Sequence, residues 1–376
     1  MTTTNSKWIA VESLAEPVTR VARRALKARL RWLWSRLPLA AEAKEDVEHI
    51  HQLRVASRRA HAAMKTFAPY LPSRRAAWFD RQLKRIRRAA GEARDLDVIA
   101  MRFRKEFADR SAAAAAIVDR IAAARKAAQP AIIEVYRGLQ PKRFRRRIHK
   151  LLRRVRMRRT TADDCCGEAG CGAASTSDGS ATASSAGTGL GTTASGVAAH
   201  QAATAGASDT SHDQAAHDTG LCDGECCLGR EPSIAEAARH EIRHLVDAWF
   251  TAADADLSDT GRLHRFRIAG KELRYAMEIF AAALGSNCRK ALYPQVIEIL
   301  EHLGHINDRV ASEGRLQAWL NETECPEERA LLGRLLASDA EAITNGLHAF
   351  FALWTPERRD ALRRQFADEL ADATGR

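Results

Sequence analysis

One motif occurs twice in this chain, and the interval between its copies constrains the fold more than any other feature. His51-Gln-Leu-Arg54-Val-Ala-Ser-Arg58 returns as His264-Arg-Phe-Arg267-Ile-Ala-Gly-Lys271, 213 positions later. The same offset joins Met64 to Met277, Phe67 to Phe280, Leu71 to Leu284, Gly91 to Gly304 and Asp95 to Asp308. A single spacing held without drift over this length marks an internal duplication, so the fold must accommodate two related halves.

Inside each half the periodicity is helical. Val18, Val21, Ala22, Ala25, Leu26, Leu30, Leu33 and Leu37 return at three- and four-residue spacing, and the scarcity of β-branched runs points the same way, to an all-α fold. The stretch from Thr160 to about Glu231 breaks this pattern. It is rich in Ala, Gly, Ser, Thr and Asp and has no aromatic residue. Such a composition buries too little apolar area to offset the entropy of ordering, and residues 160–231 read as a long disordered, low-complexity insert. Taking the insert out of the repeat offset leaves about 141 residues, a length suited to one helical bundle. The expected organisation is two four-helix bundles, 8–159 and 232–372, related by internal pseudo-two-fold symmetry.

Local signals add detail. Ser13-Leu-Ala-Glu16 and Ser233-Ile-Ala-Glu236 each fit a capping box at a helix start. The distance from this Ser to the repeated His is 38 residues in the first half and 31 in the second, so a longer connection around Leu37 to Asp46 is expected to absorb the difference. Breaks are predicted near Pro38, Pro69 to Pro72, Pro130, Pro141, Gly285 and Pro326, giving four helices or slightly more per half.

Net charge is +12, yet Thr160–Gly229 holds nine acidic residues and no Lys or Arg, which leaves +21 on the remainder. Charge of that size repels itself in a compact state and points to a polyanionic partner. No apolar run of 18 residues is present, so no membrane span is predicted. The first residues lack an apolar signal core, which makes a cytoplasmic location the expectation. Six of the eight cysteines fall in the low-complexity segment, leaving Cys288 and Cys325 in helical sequence.

On a helical wheel His51, Arg54, Arg58, His61 and Lys65 share one face. Leu53, Ala56, Ala60, Met64, Phe67 and Leu71 gather opposite and face the bundle. The second copy matches, with His264, Arg267, Lys271 and Arg274 opposed to Phe266, Ala269, Leu273, Met277, Phe280 and Leu284. Bundle stability requires only the apolar side to repeat, but the basic side repeats as well. Two such faces brought together would line a groove with guanidinium, ammonium and imidazole donors. That chemistry suits phosphate, to which Arg makes paired charge-assisted bonds and Lys offers a point charge, while imidazole gains a proton beside an anion. His51 and His264 are accordingly expected to titrate near neutrality and to tighten binding as pH falls from about 8 toward 6.

The copies differ at Arg59 and Glu272 and at His61 and Arg274, so the site is only approximately symmetric. Tyr275, opposite Ala62, suits either a phosphate bond or packing between helices. A second repeated element pairs Gly91-Glu-Ala-Arg94-Asp95 with Gly304-His-Ile-Asn307-Asp308. Gly costs about 1 kcal/mol against Ala inside a helix, which suggests close helix approach at both positions. Asp95 and Asp308 are read as supporting groups that orient Arg or His.

These two elements, with the Arg58-Arg59 pair in the first copy and Lys271-Glu-Leu-Arg-Tyr275 in the second, resemble the CHAD domain, the conserved histidine α-helical domain. The resemblance covers roughly 8–159 and 232–372. It implies two four-helix bundles around a basic channel that binds inorganic polyphosphate, and in some members targeting to polyphosphate granules. By motif position it places His51, Arg54, Arg58 and Arg59 on the ligand in the first half and His264, Arg267, Lys271 and Arg274 in the second, with Arg94 as a further candidate. The long insert departs from the family's compactness, and no triphosphate-tunnel enzyme domain accompanies it. A non-enzymatic binding protein with no cofactor and no bound metal is therefore expected.

Competing signals remain. Lys142–Arg159 carries 11 Lys or Arg in 18 residues, which fits nucleic-acid phosphates, or an extension of a polyphosphate site. Only Phe144 interrupts it, so base stacking has little support. A metal-dependent phosphohydrolase, drawing on His49 and His51 or on His302, His305 and Asp308, would need several carboxylates where Arg dominates. Cys165, Cys166, Cys171, Cys222, Cys226 and Cys227 lack zinc-type CxxC spacing, with His200, His212 and His217 among them. Gly187–Gly191 is not followed by the Lys-Ser/Thr of a phosphate loop.

Overall fold

The computed structural model describes residues 7–42, 46–107, 111–157 and 230–372. Residues 160–229 of the insert, with its six cysteines, three histidines and the Gly187–Gly191 stretch, lie outside the described residues, while Glu231 belongs with the second half. Within the described residues the chain is helical and contains no strand. The first half comprises α1 (Val18–Glu42), α2 (Val47–Thr66), α3 (Ser73–Glu106), α4 (Ala112–Leu139) and α5 (Pro141–Leu152), with a 3-10 turn at Ala68–Tyr70. The second half repeats the order as α6 (Ile234–Ala253), α7 (Thr260–Phe280), α8 (Tyr293–Glu322), α9 (Pro326–Leu353) and α10 (Pro356–Asp372), with a π-helical turn, Cys288–Leu292, leading into α8. Each half thus holds four long helices and a shorter fifth.

The motif helices begin in the same way. Asp46 caps α2 by accepting from the Glu48 amide at 2.8 Å, and Asp259 caps α7 by accepting from the Arg262 amide at 2.7 Å. These two caps are themselves 213 positions apart, which puts His51 and His264 at the same depth in their helices. The apolar faces fill the core as their spacing predicts. Leu53, Ala56, Ala60, Met64 and Phe67 on one side, and Phe266, Leu273, Met277 and Phe280 on the other, are all buried.

The four long helices of one half each pack on their counterparts in the other: α1 on α6, α2 on α7, α3 on α8 and α4 on α9. The two halves are also stitched where they begin. Pro17 and Ser233 form an isolated antiparallel bridge, with Val18 N donating to Pro232 O at 3.1 Å and Ile234 N to Glu16 O at 2.7 Å.

Several local expectations require correction. Ser233 and Glu236 do form the capping box of α6, but Ser13 does not cap α1, which starts five residues later at Val18. The first-turn amide of Thr19 is instead capped across the halves by Glu231 Oε1 at 2.9 Å, and the Glu16 carboxylate is taken by Arg24 at 2.6 Å. The unequal Ser-to-His distances follow from this and not from a longer loop, because α1 continues through Leu37 to Glu42. Pro38 and Pro130 lie inside α1 and α4. Past Pro38, Gln129 Nε2 of α4 donates to the Ala40 and Ala41 carbonyls at 2.8 and 3.1 Å, satisfying the last turn from outside. The prolines also fail to mark the start of α4, where Ser111 accepts from Ala114 N at 3.2 Å.

Two substitutions separate the two serines. Ser233→Ala is expected to cost about 1 kcal/mol in chemical denaturation. Ser13→Ala should change stability by no more than a few tenths, and equal losses would contradict the capping assignment.

Candidate polyanion-binding cavity

The faces of α2 and α7 that repeat most closely in sequence meet across the halves. Phe67 touches its counterpart Phe280, ring centroids 5.9 Å apart, and a cavity of about 360 Å³ has walls from both helices. From α2 come His51, Val55, Arg58 and Arg59, and from α7 come Arg267, Lys271, Arg274 and Glu278. Tyr293 and Leu300 of α8, with Lys7, complete the lining.

Six of the nine residues expected at the ligand therefore line one cavity. Arg58, Arg267, Lys271 and Arg274 have no carboxylate partner among the described residues, and the Nε atoms of Arg58, Arg267 and Arg274 are buried without an acceptor. The Arg274 guanidinium lies over the Tyr275 ring, 4.5 Å from its centroid. Tyr275 itself is buried, which favours the packing reading for its side chain. Lys271 records the local field: burial, and then Arg267, Arg58, Arg274 and Arg54, push its ammonium down to about 7.

Arg59 reaches the same wall but is already matched. Its Nε and Nη2 donate to Glu278 at 2.7 and 3.3 Å, and Glu278 also accepts from the Tyr293 hydroxyl at 3.0 Å. Glu278 is buried and is the one acidic residue on the cavity wall. The outer end of the α2 stripe is similarly occupied, by His61 with Asp80 at 3.0 Å and Lys65 with Glu272 at 2.8 Å.

Arg54, Arg94 and His264 lie outside the cavity lining. Arg54 Nη1 reaches Ala90 O at 3.5 Å, and Asp95 is the strongest attraction on its charge, while Asp308 plays that part for Arg267. A Cβ on Gly91 would stand 3.3 Å from Arg54 Nη1, so the glycine makes room for that arginine. Gly304 is different: nothing lies within 4 Å of its would-be Cβ, and the expected close approach is absent there. Within the motif helix of the second half the tight glycine is Gly270, whose Cβ would meet Trp249 Nε1 at 2.8 Å and Leu300 Cδ2 at 3.0 Å.

The two motif histidines sit in unequal surroundings. His264 is exposed and its Nδ1 lies 3.2 Å from Asn307 Oδ1. His51 is half-buried, and Arg94 occupies the position equivalent to Asn307. Burial and then Arg94 hold the His51 imidazole below its ordinary range. Its proton is therefore held less tightly in the ligand-free protein than that of an ordinary imidazole, while the Lys271 ammonium is drawn down toward neutrality.

Two charged lining residues escaped the motif reading. Lys7 precedes the repeat and arrives through tertiary contacts: its Nζ lies over the Trp8 and Tyr293 rings at 5.0 and 4.6 Å, and Ile9 N donates to Glu278 O at 3.2 Å. Glu278 stands opposite Lys65 in the repeat, so no duplication signal marks it.

Comparison with known proteins bears on the fold that carries these helices. The CHAD domain model matches residues 24–317. A crystal structure of the CHAD domain from the plant Ricinus communis aligns with 92% of this chain and 96% of its own, at TM-score 0.54 and 21% identity. PptA from Streptomyces chartreusis aligns with 90% of this chain and 99% of its own, at TM-score 0.53 and 15% identity. At these identities the shared property is the fold. No curated protein matches the sequence. With the matched model spanning most of its length, the chain belongs to the CHAD domain family.

Proposed function

We propose that the protein binds inorganic polyphosphate in the cavity between α2 and α7 and does not turn it over. One observation carries this reading: four cations, Arg58, Arg267, Lys271 and Arg274, converge on one cavity with no carboxylate in ion-pair contact among the described residues. Such a cluster costs free energy in the empty protein, and a polyanion relieves that cost by pairing with each member. Phosphate oxygens suit guanidinium forks, and a linear chain of them matches cations contributed from two opposing helices.

The halves are read as approximately two-fold related, with the ligand passing between unequal walls. Arg54, Arg94 and His264 serve as outer contacts along the chain, Arg59 as a structural pair for Glu278, and Asp95 and Asp308 as groups that hold Arg54 and Arg267. The phosphohydrolase reading is disfavoured because the acidic residue on the wall, Glu278, is consumed by Arg59 and Tyr293 and hard cations need several free carboxylates. Localisation to polyphosphate granules would follow from binding alone.

The test is direct. Calorimetric titration with short-chain polyphosphate should give saturable binding, and incubation with polyphosphate and Mg²⁺ should release no orthophosphate above the protein-free rate. Absence of saturable binding would remove the ligand, and steady orthophosphate release would remove the non-enzymatic reading.

A further inference from the structure

The short fifth helix of the first half carries charge that the cavity does not use. On α5, Phe144, Ile148 and Leu151 are buried, and Val155 just beyond is buried too. Every Lys and Arg from Lys142 to Arg156 is exposed. The segment has no acidic residue, and among the described residues none of these cations forms an ion pair with a carboxylate. At about 100° per residue, Lys142, Arg143, Arg146, Lys150 and Arg153 fall within a 100° arc opposite the buried side. With about 1.5 Å rise per residue they form a row some 17 Å long. Behind it the helix is held rigidly: Phe144 stacks on Trp34 at 4.7 Å and meets Phe79 edge-on at 5.6 Å, and Arg23 Nη2 donates to Val155 O at 2.5 Å.

We infer that the outer face of α5 is a second polyanion site, distinct from the cavity, that docks on the phosphate backbone of duplex nucleic acid without reading its sequence. Three features select this occupant. Arginine predominates over lysine in the row's neighbourhood, which favours phosphate oxygens arranged in fixed geometry. A duplex offers one charge about every 1.7 Å of its axis, so a row of this length meets several phosphates at once. The single aromatic of the segment, Phe144, is buried, which leaves no ring on which an unpaired base could stack. An anionic membrane is less suited, because interfacial helices bury an apolar face in lipid and that face of α5 is already spent on the core. The cavity has the size of a small-ligand site and cannot admit a duplex.

The experiment crosses two variants with three probes, using the full chain. The α5 variant combines Arg143→Gln, Arg146→Gln, Lys150→Gln and Arg153→Gln, all at exposed positions, with helicity checked by circular dichroism. The cavity variant combines Arg58→Gln and Arg267→Gln. The probes are a labelled DNA duplex, short-chain polyphosphate, and phosphatidylserine vesicles. Wild-type protein should bind the duplex with an affinity that falls several hundred-fold between 50 and 200 mM salt, as about five phosphate contacts require. The α5 variant should lose duplex binding at least roughly a hundredfold while its polyphosphate affinity changes less than about threefold, and the cavity variant should do the reverse. No duplex binding by wild type, or undiminished binding by the α5 variant, overturns the inference. So does a loss confined to vesicles, which would make the face a membrane contact, or a loss confined to polyphosphate, which would make it part of the cavity's ligand path. Failure of polyphosphate to bind any form would sink the cavity reading and leave the duplex result to stand alone.

Discussion

Replacing Arg58 and Arg267 together by Gln is expected to weaken polyphosphate binding by at least about 3 kcal/mol, roughly a hundredfold or more, since each charged hydrogen bond contributes about 1.5 to 3 kcal/mol. The same variant should melt no lower than wild type, and at low salt somewhat higher. The reason is the arrangement of the cavity: neither side chain has a carboxylate partner among the described residues, both press on Lys271, and both bury an unpaired Nε. Removing either cation takes away repulsion at Lys271 and breaks no ion pair, and for Arg267 the lost attraction to Asp308 offsets only part of that relief. A scaffold residue would show the opposite pattern, with a lowered melting temperature and near-normal affinity per folded molecule. Calorimetry and thermal denaturation on the same samples distinguish the two.

The second large effect is on pH, and Lys271 sets its sign. In the empty cavity its ammonium is drawn down to about 7, and a bound polyanion must raise it again. Between pH 7 and the higher value held in the complex, binding therefore takes up one proton, and affinity should fall about tenfold for each pH unit gained. From pH 7, where the free ammonium is half titrated, to pH 9 the expected loss is about fiftyfold at constant salt. His51, held low by burial and Arg94 in the empty protein, takes up its own proton from that lowered range upward to the value the complex holds. Lys271→Arg keeps the charge fixed and should flatten the profile between pH 7 and 9. The linkage also acts on folding: the unfolded chain holds this proton up to the ordinary lysine range, so ligand-free stability should rise with pH above 7, and Lys271→Met should remove that slope. A wild-type affinity that stays level from pH 7 to 9 would show that Lys271 does not meet the ligand.

Much of this was legible in the sequence because the duplication repeats chemistry as well as packing. The offset joining His51 to His264 also joins Asp46 to Asp259, so the caps, depth and facing of both motif helices follow from one spacing. What could not be read depends on contacts between distant segments. Lys7 reaches the cavity because the segment before α1 docks on α7. Arg59 looks like a ligand in the motif but is claimed by Glu278, 219 positions away. Pro38 suggests a stop, yet α1 runs on to Glu42 and α4 supplies the donor for its last-turn carbonyls. Ser13 has the spacing of a cap, but the α1 amide finds Glu231 from the other half. Each departure is a tertiary partner overriding a sound local preference.

Whether polyphosphate occupies the cavity is decided most directly by a structure of the protein with short-chain polyphosphate bound. Contiguous phosphates contacting Arg58, Arg267, Lys271 and Arg274 are expected between α2 and α7, with the Arg59–Glu278 pair intact. Phosphates found only on α5 or other outer surfaces, with those four side chains unliganded, would contradict the assignment.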